Sequence, residues 1–246
     1  MSKCLTVAVV QPQSTLGDVG ANVKAHAAAV TRADARVVVF PELSLTGYSI
    51  EAEPIAPTDA RLAPIVAACE ASGSIAFVGA PISGSNGAVF IAILAIDGGG
   101  ASVAYRKMWL GGDEPTRFTA GVEPSVVDVD GWRLGLAICK DTRIAEHAAG
   151  VAALGIDAYI GGICESADAH AEPERRARVV ADRFGIWVAL ASFAGPTGGG
   201  FDATAGRSGV WRPDGSAAVQ LDQTPDRIGR AEIERADLTR VASRSR

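Results

Sequence analysis

The sequence lacks several features that would place a protein in a common class at once. Only four cysteines and three histidines occur in 246 residues, all widely scattered, with no CxxC pair and no Cys/His cluster. This spacing argues against a zinc site. It also argues against a disulfide framework and favours free thiols in a reducing, cytoplasmic protein.

Long apolar runs and an excess of basic charge are also missing. The longest apolar stretch, residues 88–96, is far shorter than a membrane span, and the run over residues 5–11 is too short and too β-like for a signal peptide. The 23 basic and 28 acidic residues give a formal net charge of −5, which disfavours a nucleic-acid partner. We therefore expect neither membrane nor nucleic acid as a partner.

The sequence does contain many short, continuously apolar runs separated by turn residues. About a dozen of them read as strands, and four or five segments, including residues 18–33, 144–154 and 172–184, read as helices. One open sheet rarely holds so many strands, and continuously apolar strands need both faces covered. We predict an α/β fold, a four-layer α-β-β-α sandwich of two mixed sheets flanked by helices, in one domain spanning residues 1–246.

Three chemically distinct side chains follow predicted strands at the points where the chain turns. Glu42 follows the run 37–40, Lys107 follows the strand 102–106, and Cys139 follows the run 134–138. A strand end fixes a residue's Cα and exposes its side chain. A carboxylate, an ammonium and a thiol at three such ends indicate an attack on a carbonyl or nitrile carbon.

These residues lie in motifs that resemble those of the nitrilase superfamily, the carbon–nitrogen hydrolases. Residues 40–48 (FPELSLTGY), 105–107 (YRK) and 136–143 (LAICKDTR) resemble its glutamate, lysine and cysteine motifs, in the same order. Residues 114–121 (EPTRFTAG) are similar to a segment that carries a second active-site glutamate in some members. The sequence differs from common family patterns at residues 180–184 (VADRF), at Ser192 and at residues 206–208 (GRS).

The resemblance implies a mechanism and a set of roles. Cys139 would attack the substrate and Glu42 would act as the base. Lys107 would favour the thiolate and, with the backbone N–H of Lys140, stabilise the oxyanion. Glu114 would position substrate, water or Lys107. It further implies that no metal or organic cofactor is needed and that the chain forms a homodimer or a larger homo-oligomer.

Several residues keep a simpler interpretation. Any one of four residues, taken alone, could be an ordinary core or surface residue: Glu42, Lys107, Glu114 or Cys139. Cys164 also follows an apolar strand and is a rival nucleophile, or it lines the pocket with Glu165. Lys140 and Arg143 would bind a substrate carboxylate or form structural ion pairs with Asp141 or Glu146. His147 is expected at the surface rather than as a base.

The leading functional hypothesis is a thiol amidohydrolase acting on a small linear amide. A nitrilase or an N-carbamoyl hydrolase of the same superfamily would use the same three residues. The chain could instead resemble the isochorismatase-like cysteine hydrolases, a single-sheet class in which Asp18 would have to supply the acid. A third possibility is a catalytically dead family member that serves as a binding module.

Overall fold

The computed structural model describes residues 3–235, which form two six-stranded sheets and four α-helices. The strands are β1 (Cys4–Gln11), β2 (Val37–Val39), β3 (Ile75–Ser83), β4 (Val89–Asp97), β5 (Gly100–Arg106), β6 (Val126–Val129), β7 (Trp132–Ile138), β8 (Ala158–Ile163), β9 (Trp187–Ser192), β10 (Gly209–Trp211), β11 (Ala217–Gln220) and β12 (Arg227–Glu234). The helices are α1 (Val19–Ala33), α2 (Ala63–Ser72), α3 (Ala145–Ala152) and α4 (Glu172–Phe184).

Both sheets are mixed, and each has three parallel strands at its centre. The first sheet has the order β12-β1-β2-β3-β4-β5, and the second has the order β11-β10-β9-β8-β7-β6. Strands β1, β2 and β3 pair in parallel, as do β7, β8 and β9, while the outer pairs are antiparallel. Because β3 is parallel to β2 and the pairs β3–β4 and β4–β5 are antiparallel, β5 runs in the same direction as β2. The C-terminal ends of β2 and β5 therefore lie at the same end of the sheet.

The sheets pack face to face with the helices outside. Val7 and Val9 of β1 belong to a core shared with the second sheet, which also holds Leu136. The alternate residues, Ala8 and Val10, belong to a second core beneath α1 and α2. The apolar runs are continuous rather than alternating because each strand buries one face against the other sheet and one against helices. The predicted α-β-β-α sandwich is confirmed.

Local signals in the sequence also correspond to the structure. Asp18 caps α1 by accepting a hydrogen bond from the Ala21 N–H at 2.9 Å. Asp130 and Gly131 both have positive φ, 52° and 83°, as a two-residue hairpin turn requires between β6 and β7. With two sheets present and Asp18 acting as a helix cap, the isochorismatase-like alternative is wrong.

None of the four cysteines forms a disulfide. Among the helices of residues 3–235, none has the length and apolar character needed to cross a bilayer. The polar tail predicted from residue 235 onward lies, beyond Arg235 itself, outside the described residues.

The segment around Glu42 is held where the two sheets come together. Gly79 of β3 and Gly162 of β8 both face this segment, and a Cβ atom on either glycine would lie within 3.0 Å of its backbone. Leu43, next to Glu42, has a φ of 51°, a conformation that costs energy for a residue with a side chain. Close backbone packing from both sheets therefore fixes the position of Glu42.

We predict that Gly162→Ala lowers the free energy of unfolding by about 1–3 kcal/mol, because the added methyl group has no space against the backbone of residues 40–42. Gly150→Ala in α3 is the matched control. Its Cβ would meet no atom within 4 Å, and alanine favours a helix over glycine by about 1 kcal/mol. Urea unfolding of both variants checks this. Equal stability of the two variants would contradict the close packing around Glu42.

Candidate active site

The structure brings Glu42, Lys107 and Glu114 into direct contact. Lys107 Nζ lies 2.6 Å from Glu42 Oε1 and 2.7 Å from each carboxylate oxygen of Glu114. All three side chains are buried, with Lys107 only 1% exposed. A buried ammonium requires such partners, because the loss of hydration would otherwise favour its neutral form. Glu114 is therefore an interior residue, and its simpler interpretation as a surface charge is wrong.

The charges around Lys107 keep it protonated. Burial acts to lower the pKa of its ammonium, but the negative charges of Glu42 and Glu114 act against burial, and that pKa is raised. Glu114 is itself held by the Tyr48 hydroxyl, which donates to Oε1 at 2.6 Å, and by the Gly111 N–H, which donates to Oε2 at 2.7 Å. Lys107 is thus a fixed positive charge in a fixed place.

Glu42 is the less satisfied of the two carboxylates. Its Oε1 accepts from Lys107, while its buried Oε2 has no hydrogen-bond partner among the described residues. Burial raises the pKa of the Glu42 carboxyl to about 7, with Lys107 acting in the opposite direction. A carboxylate with a free oxygen and a pKa near neutrality has the properties of a proton acceptor.

Cys139 begins the 3₁₀ turn that follows β7. Its φ of 38° lies in the left-handed region, and the thiol donates a hydrogen bond to the Cys164 carbonyl at 3.3 Å. Burial and the charge of Glu42 raise the pKa of this thiol, and they outweigh the lowering effect of Lys107. Lys107 thus acts toward the thiolate, in the expected direction, but burial and Glu42 outweigh it, so the thiol keeps its proton until a base accepts it.

Asp141 connects the cysteine turn to the end of the lysine strand. One of its oxygens accepts from the Trp109 N–H at 2.9 Å; the other accepts from the Ile138 N–H at 3.0 Å and from the Tyr105 hydroxyl at 2.8 Å. The donors lie on both sides of the site, one beside Cys139 and two beside Lys107. The Asp141 carboxylate therefore fixes the two segments relative to each other.

A chain of hydrogen bonds continues behind Asp141. His147 contacts the Tyr105 hydroxyl through Nε2 at 3.0 Å and the Tyr159 hydroxyl through Nδ1 at 2.9 Å. Since the Tyr105 hydroxyl donates to Asp141, His147 Nε2 must donate to Tyr105, and Nδ1 must then accept from Tyr159. Burial lowers the pKa of His147 to about 4, in agreement with this neutral ring. The expectation of a surface position for His147 is wrong.

A second, partly buried ion cluster adjoins the cysteine. Glu165, which follows Cys164 after β8, contacts Arg176 Nη2 at 2.6 Å and Arg143 Nη2 at 2.5 Å. Arg143 therefore pairs with Glu165 and with neither of the expected partners, Asp141 and Glu146. Lys140 instead donates from Nζ to the Leu110 carbonyl at 2.5 Å.

Lys107, Glu114 and Cys139 open onto a cavity of about 510 Å³. Its wall also contains Cys164 and Glu165, as the sequence suggested. Further lining residues are Tyr48, Ile50, Gly111, Gly112, Asp113, Lys140, Arg143, Ser166, Gly199 and Phe201. Burial raises the pKa of the Cys164 thiol well above its usual value, and negative neighbours raise it further. Cys164 thus lies at the site but in a poorer environment for a nucleophile than its position suggests.

Within residues 3–235, one group has the spacing of metal ligands. It consists of Cys4, Glu232 and Glu234 on the paired strands β1 and β12, with ligand atoms within 4.8 Å of one another. Both glutamates are exposed, and no residue of the cluster around Lys107 belongs to the group.

Sequence reasoning assigned no role to Tyr48, Tyr105 or Arg176. Tyr48 is the last residue of the glutamate motif and Tyr105 is the first residue of the lysine motif. The sequence therefore gives their positions within the motifs but does not show which residues they contact. Arg176 lies in an arginine-rich helix that reads as a solvated face, although its guanidinium is buried against Glu165.

The chain is similar to known proteins along nearly its whole length. The sequence matches the family described as carbon-nitrogen hydrolase over residues 6–243. It is 31% identical over 234 residues to a protein of Pseudomonas protegens described as a hydrolase in the pqqF 5′ region, and the match covers 90% of this chain and 81% of that protein.

Solved structures of this superfamily share the fold. A CN-hydrolase superfamily protein from Xanthomonas campestris, with an arsenic adduct in its active site, has a TM-score of 0.88 at 20% identity, covering 99% of this chain and 96% of that one. Saccharomyces cerevisiae Nit3 has a TM-score of 0.84 at 23% identity, with coverages of 95% and 91%. An amidase from Nesterenkonia gives the same TM-score and identity, with coverages of 95% and 92%. Because the family match spans nearly the whole sequence, the chain belongs to the carbon–nitrogen hydrolase family.

Proposed function

We propose that the protein is a thiol amidohydrolase that cleaves the C–N bond of a small linear amide, with Cys139 as nucleophile, Glu42 as general base and acid, and Lys107 as electrostatic stabiliser. The observation that carries this proposal is the buried ammonium of Lys107, held by two carboxylates beside a thiol at the wall of a cavity. An amidase among the structural neighbours supports the choice of an amide.

The reaction would divide one difficult hydrolysis into two steps. In the first, Glu42 accepts the thiol proton as Cys139 Sγ bonds to the amide carbon. Glu42 then donates that proton to the departing nitrogen, the C–N bond breaks, and ammonia or an amine leaves a thioester. In the second step, Glu42 accepts a proton from water, the water oxygen bonds to the acyl carbon, and the C–S bond breaks to release the carboxylic acid and the thiol.

The roles of the remaining residues follow from their contacts. Negative charge develops on the carbonyl oxygen during both attacks, and Lys107 with the backbone N–H of Lys140 would stabilise it by roughly 3–4 kcal/mol per donor. Glu114 and Tyr48 would keep Lys107 in place, since Glu114 binds it through both oxygens and Tyr48 donates to Glu114. None of these steps needs a metal or an organic cofactor.

Mass spectrometry after incubation with amides tests the nucleophile. We expect ammonia release from a panel of amides, little or no turnover of matched nitriles, and a covalent adduct on Cys139. Acrylamide is a suitable trapping reagent, since it added to the active-site cysteine of a variant of the Nesterenkonia amidase. Glu42→Gln should lower kcat/KM by about 10²–10⁴-fold, because the thiol loses its proton acceptor.

Cys69→Ala is the matched control. It removes a buried thiol of α2 and should leave the adduct and the activity in place. An adduct on Cys164 instead of Cys139 would contradict the assignment. Turnover of nitriles in preference to amides, or release of carbon dioxide with ammonia, would favour the nitrilase or the N-carbamoyl hydrolase. If Cys139→Ala changed no activity while a partner still bound, the protein would be a binding module.

The pH dependence of kcat/KM should report the protonation of Glu42. Only the carboxylate form accepts a proton, and the pKa of Glu42 is about 7. Activity should therefore be close to its maximum above that pH and should fall about tenfold for each pH unit well below it. A profile that stays flat from pH 5 to 8 would rule out Glu42 as the base.

Asp141 is proposed as a positioning residue. We expect Asp141→Asn to lower kcat more than it changes KM, because Cys139 and Lys107 lose their common anchor. The charge of Asp141 also helps to raise the pKa of Glu42, so the acidic limb of the profile should move to lower pH. Tyr105→Phe leaves the charge of Asp141 in place, so it should reduce kcat without moving the acidic limb of the pH profile. If the acidic limb of the pH profile stayed in place in Asp141→Asn, Asp141 would have a role in folding alone.

A further inference from the structure

Helix α1 has two polar side chains on its buried face. The other buried residues of this helix are valines and alanines, whereas Asn22 and His26 are each only 1% exposed. Burying a polar group costs free energy unless it is hydrogen-bonded, and an aliphatic residue at either position would avoid that cost. Asn22 donates from Nδ2 to the carbonyl of Leu45 at 3.0 Å. The polar part of the helix therefore faces the segment that carries Glu42.

His26 contacts this segment on both sides of Glu42. Its ring stacks on the ring of Phe40, with 4.2 Å between the ring centroids and 24° between the ring planes. Its Nε2 lies 2.9 Å from the hydroxyl oxygen of Ser44. Phe40 precedes Glu42 by two residues, and Ser44 follows it by two residues. One imidazole thus holds both ends of the segment 40–44, with Glu42 at its centre.

The hydrogen bonds of His26 define one arrangement of protons. Nδ1 lies 2.7 Å from the Asn22 carbonyl, which can only accept, so Nδ1 carries the ring proton. In the neutral ring Nε2 then accepts from the Ser44 hydroxyl, whose oxygen accepts in turn from the Gly79 N–H at 3.3 Å. Burial lowers the pKa of His26 to about 4, in agreement with a neutral ring. The imidazole is therefore linked through Ser44 to β3 as well as to the segment around Glu42.

Glu42 depends on contacts to its backbone more than Glu114 does. The Glu114 carboxylate accepts from two further groups besides Lys107. For the Glu42 carboxylate, Lys107 is the one donor among the described residues, and Oε2 has no partner there. The next residue, Leu43, has a φ of 51°, and strained backbone persists only where the surrounding structure determines it strongly. The backbone on either side of Glu42, where His26 binds, therefore determines the direction of its carboxylate.

We propose that His26 is a positioning residue for Glu42, so that helix α1, through this imidazole, determines how the base meets the thiol of Cys139. The inference rests on the proposed amidohydrolase function, in which Glu42 accepts and donates the proton. His26 does not line the cavity beside Cys139. It therefore acts on the reaction only through its contacts with Phe40 and Ser44, and it takes no part in proton transfer.

Amide hydrolysis by variants on both sides of the hydrogen bond tests this role. His26→Phe keeps a ring against Phe40 but gives the Ser44 hydroxyl no acceptor, and Ser44→Ala removes the hydroxyl itself. A misplacement of about 1 Å can lower a rate by about 10²-fold, so we expect each variant to lower kcat about tenfold and to change KM less than about twofold. If both variants kept the wild-type kcat, the inference would be overturned and the amidohydrolase function would stay intact.

A double-mutant cycle and a conservative replacement separate positioning from a general loss of packing. The double variant His26→Phe/Ser44→Ala should lower kcat about tenfold, like either single variant, rather than about 100-fold, because both changes remove the same hydrogen bond. His26→Gln offers an amide oxygen to the Ser44 hydroxyl and should recover most of the lost kcat. Multiplicative effects of the two single changes would contradict the proposal.

Val30→Ala is the matched control. Val30 is buried in the last turn of α1, which leads to the start of β2, whereas Glu42 follows the end of that strand. The substitution leaves a cavity in the core, so the midpoint of urea unfolding should fall while kcat stays unchanged. A loss of kcat in Val30→Ala equal to that in His26→Phe would show that instability alone explains the effect, and would overturn the proposal.

Crystal structures of the wild type and of His26→Phe measure the positioning without any substrate. In the wild-type protein Glu42 Oε1 lies 2.6 Å from Lys107 Nζ. In His26→Phe we expect the Glu42 carboxylate to move by about 1 Å relative to Lys107, the scale of misplacement that lowers rates. Ser44→Ala takes its place here and in the kinetics if His26→Phe fails to fold. A carboxylate that moves supports the proposal even if the wild-type protein hydrolyses no amide. A carboxylate that keeps its place overturns it, whatever the wild-type protein hydrolyses.

Discussion

The arrangement of the site depends on one buried ammonium between two carboxylates. Removing three charged groups from water is costly, and the cost is offset only when their geometry and additional hydrogen bonds are good. Lys107 has both, since Glu114 binds it through two oxygens and is itself held by Tyr48 and Gly111. Glu42 completes the cluster but keeps one oxygen without a partner. A firmly bound charge and an oxygen without a partner therefore lie side by side, which is an arrangement suited to moving a proton.

The surrounding fold holds this cluster through backbone contacts that leave little room for change. Glycines of both sheets flank the Glu42 segment, and Leu43 and Cys139 have positive φ on either side of the site. Strained backbone persists only where the surrounding structure determines it strongly. Asp141 adds a direct link between the cysteine turn and the lysine strand. The two sheets thus supply opposite halves of one site, and the site depends on their packing.

Much of this structure could be predicted from the sequence, and the reasons are local. Some features depend only on residues that are neighbours in the sequence, namely the apolar runs, the Asp18 cap and the Asp130-Gly131 turn. The sandwich and the three strand ends that carry Glu42, Lys107 and Cys139 could therefore be predicted. Burial of His147 was not, because its partners Tyr105 and Tyr159 lie far away in sequence. The ion pairs of Glu165 with Arg143 and Arg176 could not be predicted for the same reason. The protonated state of the thiol depends on a balance between burial and two opposite charges, which no motif records.

The protonated thiol has a consequence for the lifetime of the protein in a cell that produces peroxides. Oxidation to sulfenic acid proceeds through the thiolate, so susceptibility follows thiolate character and exposure. Cys139 is 9% exposed and its pKa is raised, so the folded chain presents little of the oxidisable form. In the unfolded chain the same sulfur would ionise near pH 8.5 and be open to solvent. Folding thus protects the nucleophile from chemical damage during the intervals between encounters with its ligand.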